Sequence, residues 1–175
     1  MKEGAERGGS LKDLGRDSTG ALIGGKFLVG IVTVEVRMGI LRDRLYVDRH
    51  ECEILRGRHG WRHVVDPNGR GGRVRYDSWR DRIDIESPDG SLQIRFRLRH
   101  TTFSWRGRTY SVTSTGWSRV TVTDEQRRTV VEARLTWSGI RLESLDPEFR
   151  PIERELALGL AQRSLAWAMA IAPVG

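Results

Sequence analysis

The sequence predicts a mainly β protein, a closed antiparallel β-barrel of about twelve short strands around a hydrophobic C-terminal α-helix. Three observations support this fold class. Runs of β-branched and apolar residues recur between residues 26 and 145, and Leu92 to Arg99 alternates apolar with polar residues. Turn residues separate the runs at short spacing. The run from 152 to 171 is apolar on nearly all sides, which is typical of a helix buried in protein or lipid.

The chain divides into a tail and one domain. Residues 1–25 place seven glycines among charged side chains and show no sustained apolar period, so we expect a flexible polar tail. Residues 26–175 then form a single β-barrel domain, a length that fits one domain. The polar stretch from Met1 to Lys26 lacks a signal-peptide pattern, which predicts a cytoplasmic protein.

Strands follow from Lys26 onward. The runs with strand character are 27–37, 41–47, 51–55, 82–86, 91–99, 109–113, 117–123, 129–137 and 140–145. The segments Asp66–Gly69 and Ser87–Gly90 each place Pro and Gly where a type I turn favours them, while Gly71–Gly72 and Arg106–Gly107 mark further turns. Many short strands at this spacing indicate a sandwich or a barrel rather than alternating strands and helices.

The last element is a helix over about 152–171. Pro151 and Glu153 suit a first helical turn, and Pro173 ends the helix. Its apolar run is shorter than the roughly 18–20 residues that span a bilayer, and Gln162 and Arg163 lie near its middle, so we expect no transmembrane segment. Gln162 and Arg163 are expected to reach the barrel mouth or to pair with an acidic group. The side chains expected to fill the barrel are Leu156, Leu158, Leu160, Leu165, Trp167, Met169 and Ile171.

This order of elements resembles a known family. The run Phe103–Val112 (FSWRGRTYSV) is followed by Val122–Glu125 (VTDE), Val130–Arg134 (VVEAR) and the apolar helix from Leu156. The pattern resembles the Tubby C-terminal-like superfamily, especially its LURP-one-related and scramblase-like branch, in which a twelve-stranded barrel wraps a central apolar helix. The resemblance covers about 26–172 in architecture and about 103–172 in residue pattern.

What the resemblance implies about function is limited. Tubby domains bind phosphoinositide headgroups through basic residues on the barrel surface, and scramblase-like members associate with membranes. The phosphoinositide-binding pair has no aligned counterpart in this sequence, so no family site is transferred. The scramblase cysteine cluster has none either, because Cys52 is the only cysteine. A single cysteine also excludes a disulfide framework within the chain.

The charge distribution points to an anionic partner. Residues 26–110 hold 18 basic and 11 acidic side chains, which accounts for the whole net charge of +7. The Arg-x-Arg triple Arg95, Arg97 and Arg99 would place three guanidinium groups on one solvent face of a strand, where they suit phosphate oxygens. Further candidates for anion binding are Arg80, Arg82, Arg106 and Arg108. The sequence therefore predicts a protein that binds anionic phospholipid headgroups or a membrane surface, placed peripherally at the membrane.

Two other kinds of partner stay open. The Arg excess is also what a GC-rich genome produces, since 27 of the 30 basic residues are Arg. The protein would then be a protein-interaction or scaffold module, and Arg95, Arg97 and Arg99 would form a solvated strand face with cross-strand partners such as Asp84 and Glu86. The repeated Trp-Arg pairs, Trp61–Arg62, Trp79–Arg80 and Trp105–Arg106, would suit stacking on single-stranded nucleic acid, but no nucleic-acid-binding motif accompanies them.

Metal and catalytic signals are weak. His50, Cys52, His59 and His63 lie within fourteen residues, and His59-x3-His63 has a metal-like spacing, yet glycines interrupt any helix there. The segment Gly69–Gly72 lacks the Lys and the helix of a phosphate-binding loop, and no Gly-x-Ser-x-Gly elbow occurs. We therefore expect a non-enzymatic protein without a cofactor.

Overall fold

The computed structural model shows a twelve-stranded antiparallel sheet that curls into a nearly closed barrel with one C-terminal helix, which confirms the predicted fold class. The structure describes residues 33–39, 43–65, 69, 71–115, 118–136 and 139–171. The expected tail 1–25, the first part of the expected strand 27–37 and most of the expected turn 66–69 lie outside these residues.

The strands follow one another around the barrel. They are β1 (Val34–Arg37), β2 (Arg44–Val47), β3 (His50–Arg56), β4 (Arg62–Val65), β5 (Arg73–Asp77), β6 (Arg82–Ser87), β7 (Gly90–Arg95), β8 (Thr101–Trp105), β9 (Arg108–Thr115), β10 (Arg119–Thr123), β11 (Thr129–Thr136) and β12 (Gly139–Leu145). Each strand forms a hydrogen-bonded ladder with the strands before and after it in the chain, except that β7 and β8 do not pair with each other. The first strand, β1, also pairs with the last, β12. Strands β7 and β8 lie side by side as the two edges of the sheet, without a ladder among the described residues, so they form the seam of the barrel.

Most strands bury one face by alternation, although β6 also buries Asp84 between Ile83 and Ile85. In β1, Val34 and Val36 have no exposed surface whereas Arg37 is exposed. In β8, Thr101, Phe103 and Trp105 are buried and the residues between them are exposed. A period of two puts alternate side chains on opposite faces, so each strand lines the core with one face and meets solvent with the other.

A short 3₁₀ segment, Pro147–Ile152, leads the chain from β12 into the barrel. The Asp146 carboxylate accepts a hydrogen bond from the Glu148 backbone N–H at 2.9 Å and so caps this segment. The Glu148 carboxylate accepts a hydrogen bond from the Tyr110 hydroxyl at 2.7 Å, and the Glu148 carbonyl accepts one from the Trp105 indole at 3.2 Å. These contacts fix where the helix begins.

Helix α1 (Glu153–Ile171) fills the barrel with its first half. Leu156, Leu158 and Leu160 are buried, as expected. Gly159 lets the neighbouring strands approach closely, because a Cβ atom there would lie 2.6 Å from the Ile83 side chain. Leucines and small residues alternate along this half of the helix, so it packs closely against the surrounding strands.

The second half of α1 leaves the barrel, and this corrects the expectation that the whole helix is core. Leu165 and Trp167 are each 40% exposed and Met169 is 65% exposed. The side chain of Ile171 lies outside the described residues. From Leu165 onward the described side chains are exposed except that of Ala166, so the strands enclose only the first part of the helix. No helix among the described residues has the length and apolarity needed to cross a bilayer.

Candidate functional site at the upper end of the barrel

The two ends of the barrel are distinguished by the helix. The lower end is where the 3₁₀ segment and the start of α1 lie, and the upper end is where α1 emerges. Because the strands alternate in direction, the β5–β6 turn and the β7–β8 connection both lie at the upper end, whereas the β6–β7 and β8–β9 turns lie at the lower end. The contact between Arg163 and Asp81 of the β5–β6 turn fixes this assignment.

Strand β7 ends at Arg95, which corrects the prediction of a strand through Arg99. The Phe96 N–H donates to the Asp81 carbonyl at 2.9 Å, and the Arg97 N–H donates to the Thr101 hydroxyl at 3.0 Å. Leu98 is fully exposed rather than buried. The guanidinium groups of Arg95, Arg97 and Arg99 therefore do not form the evenly spaced row that an uninterrupted strand would give.

The three arginines nevertheless stay together in sequence at the seam. All three are exposed, and within the described part of the chain none has an ion pair with a carboxylate. Beside them a cleft of about 260 Å³ opens between the β7–β8 connection and the strands β8 to β10. The polar residues that line it include Arg97, Arg99, His100, Thr102, Ser111 and Thr113. Arginines and hydroxyl groups around one cleft are suited to an anion.

Arg80 and Arg82 also lie at the upper end, but they are paired. Arg82 contacts the Asp84 carboxylate at 3.0 Å and the Asp77 carboxylate at 3.8 Å. Arg80 lies 3.8 Å from Asp77. These two arginines belong largely to a charge network on the outer sheet surface, where Arg75 also donates to Asp84 at 2.9 Å.

Arg106 and Arg108 lie at the lower end, so the structure separates them from the other candidates. Arg106 is 3.5 Å from the Asp89 carboxylate, and Arg108 is 3.2 Å from the Glu148 carboxylate. Both side chains are exposed to solvent, yet each faces an acidic partner. The predicted set of seven arginines is thus divided between the two ends of the barrel.

Arg163 organises the upper end. Its guanidinium donates two hydrogen bonds to the Asp81 carboxylate, at 2.8 and 2.9 Å, and lies 3.8 Å from the centre of the Phe96 ring. Asp81 also accepts a hydrogen bond from the Tyr76 hydroxyl at 2.9 Å. Burial and this bond to a carboxylate raise the pKa of Tyr76 to about 12. The expectation that Arg163 pairs with an acidic group is confirmed, whereas the Gln162 side-chain oxygen is buried without a hydrogen-bond partner among the described residues.

Exposed hydrophobic side chains gather at the same end. Six large hydrophobic residues are exposed among those described: Leu55, Trp79, Leu98, Leu165, Trp167 and Met169. Leu55 is the penultimate residue of β3, Trp79 is in the β5–β6 turn and Leu98 is in the β7–β8 connection. The other three residues are on the emergent half of α1. All six therefore lie at the upper end. Exposed apolar groups at one end of a fold make that end a candidate interaction surface.

The Trp-Arg pairs do not share a surface. Trp105 is buried, Trp79 is almost fully exposed, and Trp61 is partly covered by Arg73 and Arg75, whose guanidinium groups lie 4.6 and 4.9 Å from its ring centre. The stacking platform that a single-stranded nucleic acid would need is therefore not formed by these three tryptophans.

The histidines and the cysteine of the metal candidate do not converge. Cys52 lies in the hydrophobic core, whereas His50 is exposed at the start of β3. His59 is exposed in the β3–β4 loop, and His63 is half-buried in β4. Across the described ranges no three His, Cys, Asp or Glu side chains are grouped to hold a metal ion.

Comparison with protein-family models, with curated proteins and with solved structures gives no match for this chain. The resemblance to Tubby-like domains therefore stays a prediction. Two features of the site cannot be read from the sequence pattern. Leu98 continues the alternation of β7, so the pattern predicts an inward-facing strand residue. The pairing of Asp81 with Arg163 joins positions 82 residues apart.

Proposed function

We propose that the protein binds the surface of an anionic membrane through the upper end of the barrel. Arg95, Arg97 and Arg99 contact lipid phosphates, and the exposed apolar side chains enter the interfacial layer. The observation that carries this proposal is the β7–β8 connection, in which the fully exposed Leu98 stands between arginines that have no described carboxylate partner. A cation beside an exposed apolar side chain suits the boundary between headgroups and acyl chains.

The charge chemistry supports a phosphate ligand. A guanidinium group presents a planar fork of donors that binds two phosphate oxygens at once. The hydroxyl groups of Thr102, Ser111 and Thr113 add donors along the seam cleft. Asp77 at the end of β5 and Asp81 in the β5–β6 turn are both paired with arginine, so the repulsion of an anionic surface by their carboxylates is reduced.

The apolar groups support a membrane rather than a soluble anion. Trp79 and Trp167 have the amphipathic ring that favours the headgroup region, and Leu98 and Met169 would be buried only on binding. A soluble phosphate compound would use the cleft but leave these side chains in water. A lipid surface uses both features, because charge attracts the protein and apolar burial then retains it.

The proposal is tested with two matched triple variants. R95Q/R97Q/R99Q removes three positive charges from the upper end, and R106Q/R108Q/R128Q removes three from the lower end. Co-sedimentation is measured with vesicles of neutral phosphatidylcholine and with vesicles that also contain anionic phosphatidylglycerol, each at low and high salt. At about 1 kcal/mol per arginine near an anionic surface, the upper-end variant should bind roughly 100-fold more weakly.

The control separates a site from bulk charge. The lower-end variant has the same net charge, so it should keep most of the salt-sensitive binding. Equal losses in both variants would show that net charge alone attracts the protein. Unchanged binding of the upper-end variant, or no binding of the native chain to either vesicle, would refute the proposal and leave the upper end as a surface for a protein partner.

A further inference from the structure

A second opening at the upper end has the opposite chemistry to the seam cleft. A groove of about 700 Å³ runs between the emergent half of α1 and the ends of β1 and β10 to β12. Its apolar lining includes Met38, Leu135, Ala161, Leu165 and Ala168. The only charged residue of its described lining is Arg134, which lies 3.7 Å from Glu143.

The size of the groove limits its occupant. Small-molecule sites commonly have volumes of about 300–1,000 Å³, so the groove is large enough for one flexible chain.

The composition of the lining limits the chemistry. Ala161 and Ala168 on α1, with Ser164 between them, leave space beside the helix, and Leu165 forms an apolar rim. The Ser164 hydroxyl already donates to the Leu160 carbonyl at 2.8 Å, so it is satisfied within the helix. An apolar occupant would bind favourably here, because it would remove the apolar lining of the groove from water.

We propose that this groove accepts one acyl chain of an anionic phospholipid from the membrane to which the protein binds. The inference rests on the proposed membrane function, because the groove opens at the upper end, beside the exposed Leu165 and Met169. A chain that leaves the bilayer then passes from one apolar environment to another. The protein would thereby hold an individual lipid as well as a surface.

The test uses water-soluble 1-acylglycerol 3-phosphates with chains of increasing length, each below its micelle concentration, and glycerol 3-phosphate as the probe without a chain. Dissociation constants are measured by isothermal titration calorimetry. Each added methylene should tighten binding about fourfold until the groove is full, after which longer chains should give no further gain. Simple partition into an apolar surface would show no such limit.

Two matched variants locate the chain. Ala168→Trp fills the groove, whereas Ala170→Trp adds the same side chain at an exposed helix position outside the groove lining. Ala168→Trp should remove the dependence on chain length, and Ala170→Trp should keep it. A chain-length dependence that is absent from the native protein, or that survives Ala168→Trp, would overturn the inference.

Vesicle binding is measured in parallel, so the two proposals fail separately. Anionic vesicle binding that depends on the three upper-end arginines, without any dependence on chain length, refutes the groove and leaves the membrane proposal intact. Dependence on chain length without vesicle binding also overturns the inference, because the lipid would then come from solution and not from a membrane. Ultracentrifugation that shows a dimer lost in Ala168→Trp would assign the groove to a second copy and likewise overturn it.

Discussion

Both ends of the barrel carry arginines that the sequence predicts to bind an anion, but only at the upper end do some of these have no carboxylate partner among the described residues. At the lower end Arg106, Arg108 and Arg128 each lie beside a carboxylate. At the upper end Arg97 and Arg99 have no carboxylate partner among the described residues and lie beside the exposed Leu98. The comparison teaches that a count of basic residues does not show which charges already have a partner within the fold.

The ends also differ in what their polar contacts do. At the lower end Glu148 joins Tyr110, Trp105 and the 3₁₀ segment, so its hydrogen bonds fix the start of α1. The pKa of Tyr110 is raised to about 12 because its side chain is buried and its hydroxyl donates to this carboxylate. At the upper end Asp81 and Arg163 hold the helix as it leaves the barrel. The contacts at the lower end thus anchor the start of α1, whereas the emergent half of α1 at the upper end keeps exposed side chains.

The largest expected effect separates the two halves of α1. Leu158→Ala should lower the free energy of unfolding by about 2–5 kcal/mol, because it leaves a cavity in a fully buried position. Leu165→Ala removes the same atoms from a 40% exposed side chain, so it should cost less than about 1 kcal/mol. Urea denaturation of both variants measures the difference. Equal costs would show that the second half of the helix is also core.

A smaller effect is expected from the contact that ties α1 to the upper end. Asp81→Asn and Arg163→Met should each cost about 1–3 kcal/mol, since the pair is partly buried and doubly hydrogen-bonded. Asn also tolerates the positive φ of 42° at position 81. A double-mutant cycle in urea isolates the pair. Additive losses from the two substitutions would mean that the ion pair contributes nothing beyond the packing of Arg163 on Phe96.

The smallest effect concerns the buried acids at the lower end. Burial raises the pKa of Glu155, whose carboxylate accepts a hydrogen bond from the Gly72 N–H at 2.8 Å. Its contribution to stability is therefore fully present below the unfolded pKa of about 4.3 and is lost as pH rises through the raised value in the folded protein.

Glu155→Gln keeps the oxygen that accepts the Gly72 N–H but never ionises. The free energy of unfolding of this variant, minus that of the native protein, should therefore grow as the pH is raised from about 4 towards neutral. Asp84→Asn should show the opposite pH dependence. Burial acts against ionisation of Asp84, but hydrogen bonds from Arg75 and Gln93 lower its pKa. The free energy of unfolding of the native protein, minus that of this variant, should therefore shrink as the pH falls. A pH-independent difference for Glu155→Gln would contradict the first expectation.

Much of the fold could be predicted because local chemistry decides it. Alternation and turn residues predict most strands, and the apolar run predicts the helix. The sequence pattern does not indicate strands β4, β5 and β8, since β4 and β5 mix arginines with few apolar residues and β8 is rich in Thr and Ser. The predicted extension of β7 through Arg99 is wrong. The apolar–polar alternation continues to Arg99, but the backbone N–H groups of Phe96 and Arg97 donate hydrogen bonds to Asp81 and Thr101 instead of continuing the strand.

Less of the candidate site could be predicted. Composition identifies the arginines, but their division between the ends depends on strand direction and on partners distant in sequence. The emergence of α1 is hidden for a similar reason. Hydrophobicity shows that Trp167 and Met169 prefer burial, yet only the length of the barrel wall decides that they lie outside it. The groove beside α1 follows from that mismatch and has no signature in the sequence.

The pairing of β1 with β12 has a consequence for how the molecule is made. Glu35 and Arg141 are 106 residues apart in sequence, yet they are hydrogen-bonded across this ladder. During synthesis, the edge of β1 that pairs with β12 stays open until β12 has been made, and the lining of the barrel waits for α1, which follows β12 in the described part of the chain. Such late, long-range contacts slow folding and lengthen the time during which an edge strand can pair wrongly.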